Sequence, residues 1–475
     1  MNTRSVPRQL LIAVSLFLLA ACGSDSTAPG GPLTVATVTP ASGPLAGGTR
    51  VNITGTNFVD VASITIGGNE LVSRTMVSTT EVTGTTPAST ILGPKDVVVT
   101  SSSHGSGTCR GCFSYVSIRA AAIAAGYTHT CGLASTGAAY CWGANGGALG
   151  DGSYMNSSIP VAVSGGLSFS ALAAGGGFTC GLTSAGTAYC WGNNTSGQLG
   201  NYPPKDNVGI PTPVLVSGGL SFSALAAGAA HTCGLTSAGA AYCWGLDLFG
   251  ELGSSPLTGN FSSTPQAVSG SWRFVALTAG VYHTCGLTSL GAAYCWGDNE
   301  TSQLGNGSTG FSTDTTPVAV SGGLTFSALA AGSWHTCGLA GSGAAYCWGS
   351  NYGGQLGTGS TTDSSIPVAV SGGLTFSAVA AGGDHSCGLT STGAAYCWGV
   401  NNSGQLGDGS ITNSSTPVAV SGGLTFSTLT AGAGHTCGLT STKTTYCWGD
   451  NQYGQLGNGS TTNSSVPVAV VGWSP

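Results

Sequence analysis

The chain has 475 residues, and only 5% of them are charged, against about a quarter in an ordinary globular protein. Glycine accounts for 81 residues without a collagen-type period, and the apolar content of 41% is too high for a disordered chain. From residue 118 onward there are four basic and eleven acidic residues, whereas nucleic-acid-binding proteins present a basic surface. We therefore expect an ordered protein that has no nucleic acid among its partners.

Residues 1–21 predict an export signal. Arg4 and Arg8 precede an apolar run at 10–21, which is too short to span a membrane as a mature helix. The run ends in Leu19-Ala20-Ala21-Cys22, which resembles a bacterial lipobox, where the cysteine is acylated and becomes the new N-terminus. Gly23 follows instead of aspartate, so the resemblance implies an outer-membrane or cell-surface protein attached to the membrane through lipid on Cys22. An ordinary signal peptide with an incidental cysteine is the alternative.

Residues 22–32 predict a flexible tether, and residues 33–117 alternate β-branched and polar residues between turns, as short strands do. The motif that starts Pro40-Ala41-Ser42-Gly43-Pro44 and continues to Phe58 resembles the IPT/TIG family. The resemblance implies an immunoglobulin-like sandwich that acts as a spacer or binding module. For Cys109 and Cys112 we expect a structural disulfide, because the βαβ pattern of redox CxxC motifs is missing.

Residues 118–475 contain seven repeats marked by Tyr-Cys-Trp-Gly, with a second cysteine ten residues earlier. A period near 50 residues with several short strands per unit indicates a propeller. With Cys22 lipidated, 16 of the 17 cysteines remain, and an even number in an exported protein favours disulfides over free thiols or metal ligands. The predicted repeat pairs are Cys131 with Cys141, Cys180 with Cys190, Cys233 with Cys243, Cys285 with Cys295, Cys337 with Cys347, Cys387 with Cys397 and Cys437 with Cys447.

The sixth unit predicts four strands: A at 374–380, B at 385–389, C at 394–398 and D at 417–420. A three-residue turn at 391–393 places Cys387 directly opposite Cys397, close enough for a disulfide. Glycine at the third turn position suits a left-handed conformation, and Lys443 takes that position in the seventh unit. We expect each D strand to be an outer edge strand that begins after a proline.

Four motifs recur over residues 118–475: Ala-Gly-x-x-His-[Thr/Ser]-Cys-Gly-Leu, Tyr-Cys-Trp-Gly-x-Asn, Gly-Gln-Leu-Gly and Pro-Val-Ala-Val. Together they resemble the regulator-of-chromosome-condensation repeat family. The resemblance implies a seven-bladed β-propeller of four-stranded blades. Because that family includes a nucleotide-exchange factor, a β-lactamase inhibitor and an ultraviolet sensor, the resemblance implies a scaffold and no particular activity. The fold class expected for the whole chain is all-β: a sandwich followed by this propeller.

Six units carry a histidine two residues before their first cysteine, and Phe178 stands there in the second unit. We expect each histidine to hydrogen-bond within its own blade, since different blades hold the imidazoles too far apart to share a metal. The repeated tryptophans are expected between blades. We therefore predict no metal site, no cofactor and no catalytic residue, and the sequence lacks the common enzyme motifs.

The loops vary on one face of the predicted propeller. The proline of strand D follows the glycine of Leu-Gly by 13, 12 and 12 residues in units two, three and four, and by 10 residues in the other units. Exposed aromatic residues on one face are typical anchors of a binding surface, and neutral drift in loops is the alternative. Among the A–B loop residues are Tyr127 and Asp384. The binding candidates are Tyr202, Lys205, Asp206, Phe249, Phe261, Tyr282, Phe311 and Trp334.

These features predict a lipid-anchored surface protein that recognises an extracellular protein or glycan through the long-loop face. An exported enzyme acting on polysaccharide or peptide is the second hypothesis. Guanine-nucleotide exchange, implied by the family alone, is the third. The sequence leaves open the identity of the ligand and which blade closes the ring.

Overall fold

The computed structural model describes residues 31–45, 47–201, 209–254, 260–310 and 312–473. Strands and their connections make up this part of the chain. The predicted export signal, Cys22 and the tether up to residue 30 lie outside it. In the described ranges we find no helix with the length and apolar character needed to cross a membrane.

The N-terminal domain is a sandwich of two sheets, with strand orders β1-β3-β7-β6 and β2-β9-β8-β4-β5. Its core contains Ile53, Ile64, Val82 and Phe113, which are fully buried between the sheets. A disulfide joins Cys109 to Cys112 within β9. The strands are β1 (Thr34–Thr39), β2 (Ser42–Pro44), β3 (Arg50–Thr56), β4 (Val61–Ile66), β5 (Asn69–Glu70), β6 (Val72–Ser78), β7 (Glu81–Thr85), β8 (Gly93–Ser101) and β9 (Gly105–Val116).

The described residues from 120 onward form seven sheets, each an antiparallel meander of four consecutive strands A, B, C and D. The all-β class and the four-stranded repeats are therefore confirmed.

The strands of blades 1 to 4 are β10 (Ala120–Ala125), β11 (His129–Ala134), β12 (Ala139–Gly143), β13 (Ser157–Ala162); β14 (Ala171–Ala174), β15 (Phe178–Leu182), β16 (Ala188–Gly192), β17 (Ile210–Leu215); β18 (Ala224–Ala227), β19 (His231–Leu235), β20 (Ala241–Leu246), β21 (Phe261–Ala267); β22 (Phe274–Ala279), β23 (His283–Thr288), β24 (Ala293–Asp298), β25 (Thr313–Ala319). Those of blades 5 to 7 are β26 (Phe326–Ala331), β27 (His335–Ala340), β28 (Ala345–Gly349), β29 (Ser364–Ala369); β30 (Ala378–Ala381), β31 (His385–Leu389), β32 (Ala395–Gly399), β33 (Ser414–Ala419); β34 (Phe426–Ala431), β35 (His435–Thr440), β36 (Thr445–Gly449), β37 (Ser464–Ala469).

The B–C hairpin has the register that the sequence predicts. In blade 6, Cys387 lies opposite Cys397, and a disulfide joins the two. The same register and the same bond recur in the other six blades, so each of the seven predicted repeat pairs is present. The remaining disulfides join Cys131 to Cys141, Cys180 to Cys190, Cys233 to Cys243, Cys285 to Cys295, Cys337 to Cys347 and Cys437 to Cys447.

The turn of this hairpin carries a left-handed residue at its third position. In blade 7 that residue is Lys443, whose φ is 70°, so the predicted left-handed conformation is confirmed. A non-glycine residue in this conformation costs about 1–2 kcal/mol.

The predicted start of the D strands is wrong, because each strand begins three or four residues before its proline. In blade 6, strand D begins at Ser414, so Pro417 lies inside the strand and not ahead of it. The ladder shifts register between Cys397 and Gly399, opposite this stretch. An outer strand tolerates proline in its interior because one of its sides makes no ladder bonds.

The ring is closed by the C-terminal segment. In blades 2 to 7 a phenylalanine beside strand A covers a glycine of strand B: a Cβ at Gly181 would lie 2.5 Å from Phe169. Blade 1 lacks this phenylalanine, and Trp473 from beyond β37 covers Gly132 in its place. Trp473 is fully buried, and its ring centroid lies 5.6 Å from that of Trp142. Each of the seven sheets is formed by four consecutive strands, so no strand is exchanged between the first and last blades. The Trp473 side chain instead joins the C-terminal segment to blade 1.

The sandwich lies against the outer strand of blade 1. A Cβ at Gly48 would lie 2.7 Å from Ile159 on β13. A cleft of about 710 Å³ separates the two domains, with Arg50 and Asn52 on one side and the turn residues Thr136 and Ser168 on the other. The sandwich therefore contacts the rim of blade 1, and the cleft lies between the sandwich and the turn residues of that blade.

We expect Trp473→Ala to lower the free energy of unfolding by about 3–5 kcal/mol, the usual cost of truncating a buried aromatic side chain. Trp473→Phe should retain most of the stability, because the other six blades use phenylalanine at this place. The free energy of unfolding of both variants is measured by guanidinium denaturation without reductant. Leu290→Ala, which removes a side chain that is 86% exposed, is the control. Equal stability of Trp473→Ala and Leu290→Ala would contradict closure by Trp473.

Candidate functional site

The two faces of the propeller differ in charge. The A–B and C–D loops share one face, here called the loop face, and the B–C and D–A turns share the opposite turn face. The three described Lys and Arg residues of the propeller lie on the turn face: Arg119, Arg273 and Lys443. All ten described carboxylates lie in loops or strand ends of the loop face: Asp151, Asp247, Glu251, Asp298, Glu300, Asp314, Asp363, Asp384, Asp408 and Asp450. The loop face is therefore negatively charged.

Adjacent blades are joined by a repeated junction of three buried polar groups. The Thr436 hydroxyl of blade 7 donates to the Gln405 carbonyl oxygen of blade 6 at 2.9 Å. The Trp448 indole N–H donates to the same oxygen at 3.0 Å. The His385 Nε2 of blade 6 lies 2.8 Å from the Thr436 hydroxyl. Because that hydroxyl already donates to the carbonyl, the imidazole must donate through Nε2–H.

This junction corrects the expectation that each histidine bonds within its own blade. Six imidazoles cross to the next blade, where the acceptor is a threonine or serine hydroxyl: His129 to Thr179, His231 to Thr284, His283 to Thr336, His335 to Ser386, His385 to Thr436 and His435 to Thr130. The described residues contain no group of three or more His, Cys, Asp or Glu side chains that could hold a metal ion.

The Nδ1 atom of each of these histidines is buried without a hydrogen-bond partner. Burial disfavours the charged form, so the pKa of His335 is lowered from 6.5 to about 3, and that of His129 to about 4. The motif glycine leaves room for the imidazole, since a Cβ at Gly126 would lie 2.5 Å from His129 Cε1. The histidines therefore act as neutral structural donors.

Buried asparagines hold the C–D loops that build the loop face. Asn401 accepts from the Leu406 amide through Oδ1 at 2.9 Å and donates through Nδ2 to the carbonyls of Ser410 and Thr412. Blade 3 has Asp247 in place of this asparagine and Glu251 in place of the motif glutamine. Burial raises the pKa of Glu251 to about 7, and its Oε1 has no partner. In blade 3 the C–D loop is therefore held by two carboxylate side chains where the motif has two amide side chains.

Backbone hydrogen bonds between neighbouring A–B loops fix the mouth of the central channel. The Tyr127 amide donates to Gly175 O at 3.1 Å, and equivalent contacts recur from Gly176, Ala229, Ser333, Gly383 and Ala433. These loops surround a cavity of about 160 Å³. Alanine and glycine line it in every blade, and Tyr127, Val281 and Ser333 are its larger lining side chains. Tyr127 extends across the mouth, with its hydroxyl oxygen 3.2 Å from Ser333 Oγ.

Three aromatic side chains from adjacent blades meet beside this mouth. The ring centroids of Phe249 and Tyr282 are 5.1 Å apart, and those of Tyr282 and Trp334 are 5.5 Å apart. We call these three residues, from blades 3, 4 and 5, the aromatic arc. All three side chains are half-buried, so part of each ring faces solvent. The arc offers an apolar surface on an otherwise acidic face.

Asp384 lies on the next blade, at the A–B loop position that Tyr282 and Trp334 occupy in theirs. Its carboxylate interacts with the Tyr352 side chain, while Oδ1 is buried without a partner. Burial raises the pKa of Asp384. The pKa of Tyr127 is raised to about 12, mainly by burial, with contributions from nearby Tyr282 and Asp384. Tyr127 thus lies close to both residues.

The structure brings together some of the predicted binding residues. Phe249, Tyr282 and Trp334 form the arc, whereas Phe261 is 47% exposed on the outer strand β21 and pairs with Leu246 at the rim. Tyr202, Lys205, Asp206 and Phe311 lie outside the described residues. Tyr352 was not predicted, and its only signal is a tyrosine within the Asn-x-x-Gly-Gln pattern of blade 5.

Comparisons with known proteins agree on the two domains. The sequence profile of the RCC1-like domain matches residues 111–374 and 222–474, and that of the IPT/TIG domain matches residues 33–115. Prp20p from Saccharomyces cerevisiae superposes with a TM-score of 0.59 at 23% identity, covering 66% of this chain and 80% of Prp20p. This likeness shows the fold.

Two curated relatives match in part. The ultraviolet-B receptor UVR8 of Arabidopsis thaliana is 32% identical over 245 residues, which are 51% of this chain and 56% of that protein. The human probable E3 ubiquitin-protein ligase HERC4 is 34% identical over 146 residues, which are 30% of this chain and 14% of that protein. The match thus spans about half of the first relative and a small part of the second.

The buried histidines predict a loss of stability in acid. A histidine whose pKa is lowered by folding stabilises the native state above the unfolded value of 6.5 and loses that contribution as the pH falls towards 4. His335→Phe copies the natural Phe178 and removes one such group. Near pH 5 it should reduce the slope of unfolding free energy against pH by about 1.4 kcal/mol per unit.

Denaturant titrations between pH 7 and pH 4.5 measure this slope. The double variant His283→Phe with His335→Phe should reduce the slope by about twice as much, because each histidine contributes one proton. Wild-type and variant curves that run parallel over this range would contradict the neutral, buried state of these imidazoles.

Proposed function

This chain belongs to the RCC1-like domain family, and on that basis we propose that it is a membrane-anchored recognition protein whose propeller binds an extracellular protein or glycan through the loop face. Lipid on Cys22, the tether and the sandwich would hold the propeller at the outer membrane or cell surface. The sandwich contacts the rim of blade 1, away from the loop face of blades 3 to 6, which can then receive a partner.

The observation that carries this proposal is the aromatic arc. Three aromatic rings from blades 3, 4 and 5 meet on the face where the loops differ most between units. The turn face, in contrast, repeats nearly the same Ser-x-Gly and Ser-Gly-Gly turns in every blade. Half-exposed aromatic clusters on a variable face are the usual anchors of protein interfaces. The named binding partners of Prp20p, Gsp1p and histones, are proteins as well.

An exported enzyme is the second candidate function. Glu251 and Asp247 are interacting carboxylates in one loop, and the pKa of Glu251 near 7 suits a general acid or base. One oxygen of each carboxylate, however, accepts a structural hydrogen bond from a backbone amide, that of Phe249 for Glu251 and that of Leu252 for Asp247. We therefore favour binding over catalysis. Nucleotide exchange, in turn, has only the family likeness in its support.

We expect a screen of surface proteins and glycans to yield a partner for the full-length chain. The partner should be lost when the loops at 201–212, 254–264 and 306–316 are shortened to the ten-residue step of the other units. The matched control replaces the turn 391–393 of blade 6 by the corresponding turn of blade 5, which alters only the turn face. Partner binding that survives the shortened loops, or a screen without any partner, would contradict recognition by the loop face.

Cys22→Ser tests the anchor separately. In a Gram-negative host fed labelled palmitate, the wild-type chain should incorporate label and partition with the membrane. The variant should do neither, because serine lacks the sulfur atom through which the lipid would be attached. Cys109→Ser, in the sandwich, is the control and should still be labelled. Label in the Cys22→Ser chain would contradict a lipid anchor at this residue.

A further inference from the structure

We propose that the basin formed by Tyr127, Tyr282, Trp334 and Asp384 at the channel mouth takes the cationic side chain of an arginine or lysine from the partner protein. This inference rests on the proposed function and names the chemistry that the loop face recognises. The occupant is a side chain presented by a protein segment.

A cavity with room for about one side chain adjoins the basin. The cavity at its floor has a volume of about 160 Å³ and is lined by backbone and methyl groups of all seven blades. Val281, Ser333 and Gly383 line this cavity, and each is followed directly by one of the basin residues Tyr282, Trp334 and Asp384. Tyr127 reaches across the mouth from blade 1 to contact Ser333.

The chemistry of the basin suits a cation. Aromatic faces attract guanidinium and ammonium groups electrostatically, most strongly when both are partly withdrawn from water. Asp384 adds a carboxylate whose Oδ1 is buried and has no hydrogen-bond partner. The Asp384 carboxylate can accept a charge-assisted hydrogen bond from an N–H of an arriving cation.

The surrounding field favours the same charge. The ten described carboxylates of the propeller lie on the loop face, and its three described Lys and Arg residues lie on the turn face. A cationic segment is therefore drawn to this face at long range, and an anionic or phosphorylated one is repelled. A second copy of this chain, with the same acidic face, does not fit as the occupant.

The A–B loops hold the basin in a binding-ready arrangement. Backbone hydrogen bonds to the next loop fix Ser333 and Gly383, which precede Trp334 and Asp384, around the mouth. Tyr352 of the preceding blade also interacts with the Asp384 carboxylate. A preorganised site loses little conformational entropy when the ligand arrives.

The test uses the full-length chain in detergent micelles and blocked peptides of glycine and serine with one central residue: arginine, lysine or citrulline. Citrulline keeps the shape of arginine without its charge. Fluorescence of half-buried Trp334 reports binding, in about 0.3 M salt so that diffuse attraction is screened. We expect the arginine and lysine peptides to bind at least tenfold more tightly than the citrulline peptide. Equal binding of citrulline, or no binding of the cationic peptides, would overturn the proposal.

Variants locate the site. Asp384→Asn and Trp334→Ala should each weaken binding of the arginine peptide about tenfold. Because Trp334→Ala loses the fluorescent reporter, its affinity is measured by calorimetry. Glu300→Gln removes an exposed carboxylate from the same face outside the basin and should change affinity less than twofold. An equal loss in Glu300→Gln would show diffuse electrostatics only and overturn the basin. Tighter binding of free arginine than of the peptide would identify an amino-acid site and overturn the assignment to a protein side chain.

The two proposals fail separately. A screen that finds no partner contradicts recognition by the loop face, whatever the peptides do. A partner that depends on the long loops, but binds Asp384→Asn and Trp334→Ala as tightly as the wild type, leaves recognition standing and overturns only the cation site.

Discussion

The structure depends on one buried hydroxyl at each blade junction. The threonine or serine after each motif histidine donates to a carbonyl of the preceding blade, and in six junctions it also accepts from that blade's imidazole. Buried polar groups must be paired, so a blade that moves away from its neighbour breaks several bonds at once. The neutral imidazole, the glycine that makes room for it and the fixed A–B loops all follow from this arrangement.

The same junction explains why the candidate site can vary. Stability comes from groups that every blade repeats: the disulfide, the tryptophan that packs on the preceding blade, and the hydroxyl at the junction. The residues at positions 282, 334 and 384 follow the fixed backbone but take no part in these contacts, so their side chains are free to differ. Three blades accordingly place a tyrosine, a tryptophan and an aspartate at one repeat position. A uniform scaffold thus positions a site made of non-uniform residues.

The sequence predicted those features that depend on the conformation of a few consecutive residues. The cysteine register and the left-handed Lys443 follow from the length of one hairpin, and both are present. The acceptor of each imidazole, in contrast, lies in the next blade, 50 residues away for His129 and 305 residues away for His435, and no pattern within one unit specifies it. The role of Trp473 was not predicted for a related reason. This residue lies at the other end of the propeller sequence from Gly132, on which it packs in place of the phenylalanine that blade 1 lacks. The contact of Tyr352 with Asp384 joins two loops of adjacent blades, which sequence spacing does not bring together.

A repeat protein provides its own reference, so departures from the repeat carry the information that one sequence otherwise lacks. Phe178 removes an imidazole, so the Thr232 hydroxyl lacks that donor but keeps its bond to the Gln198 carbonyl. Glu251 replaces a glutamine and leaves a buried oxygen unpaired. Such losses are acceptable singly because six other junctions hold the ring. At the channel mouth the departures are instead clustered on consecutive blades, and they combine aromatic faces with an unpaired carboxylate oxygen. Independent drift gives no reason for that combination, whereas selection for one ligand does.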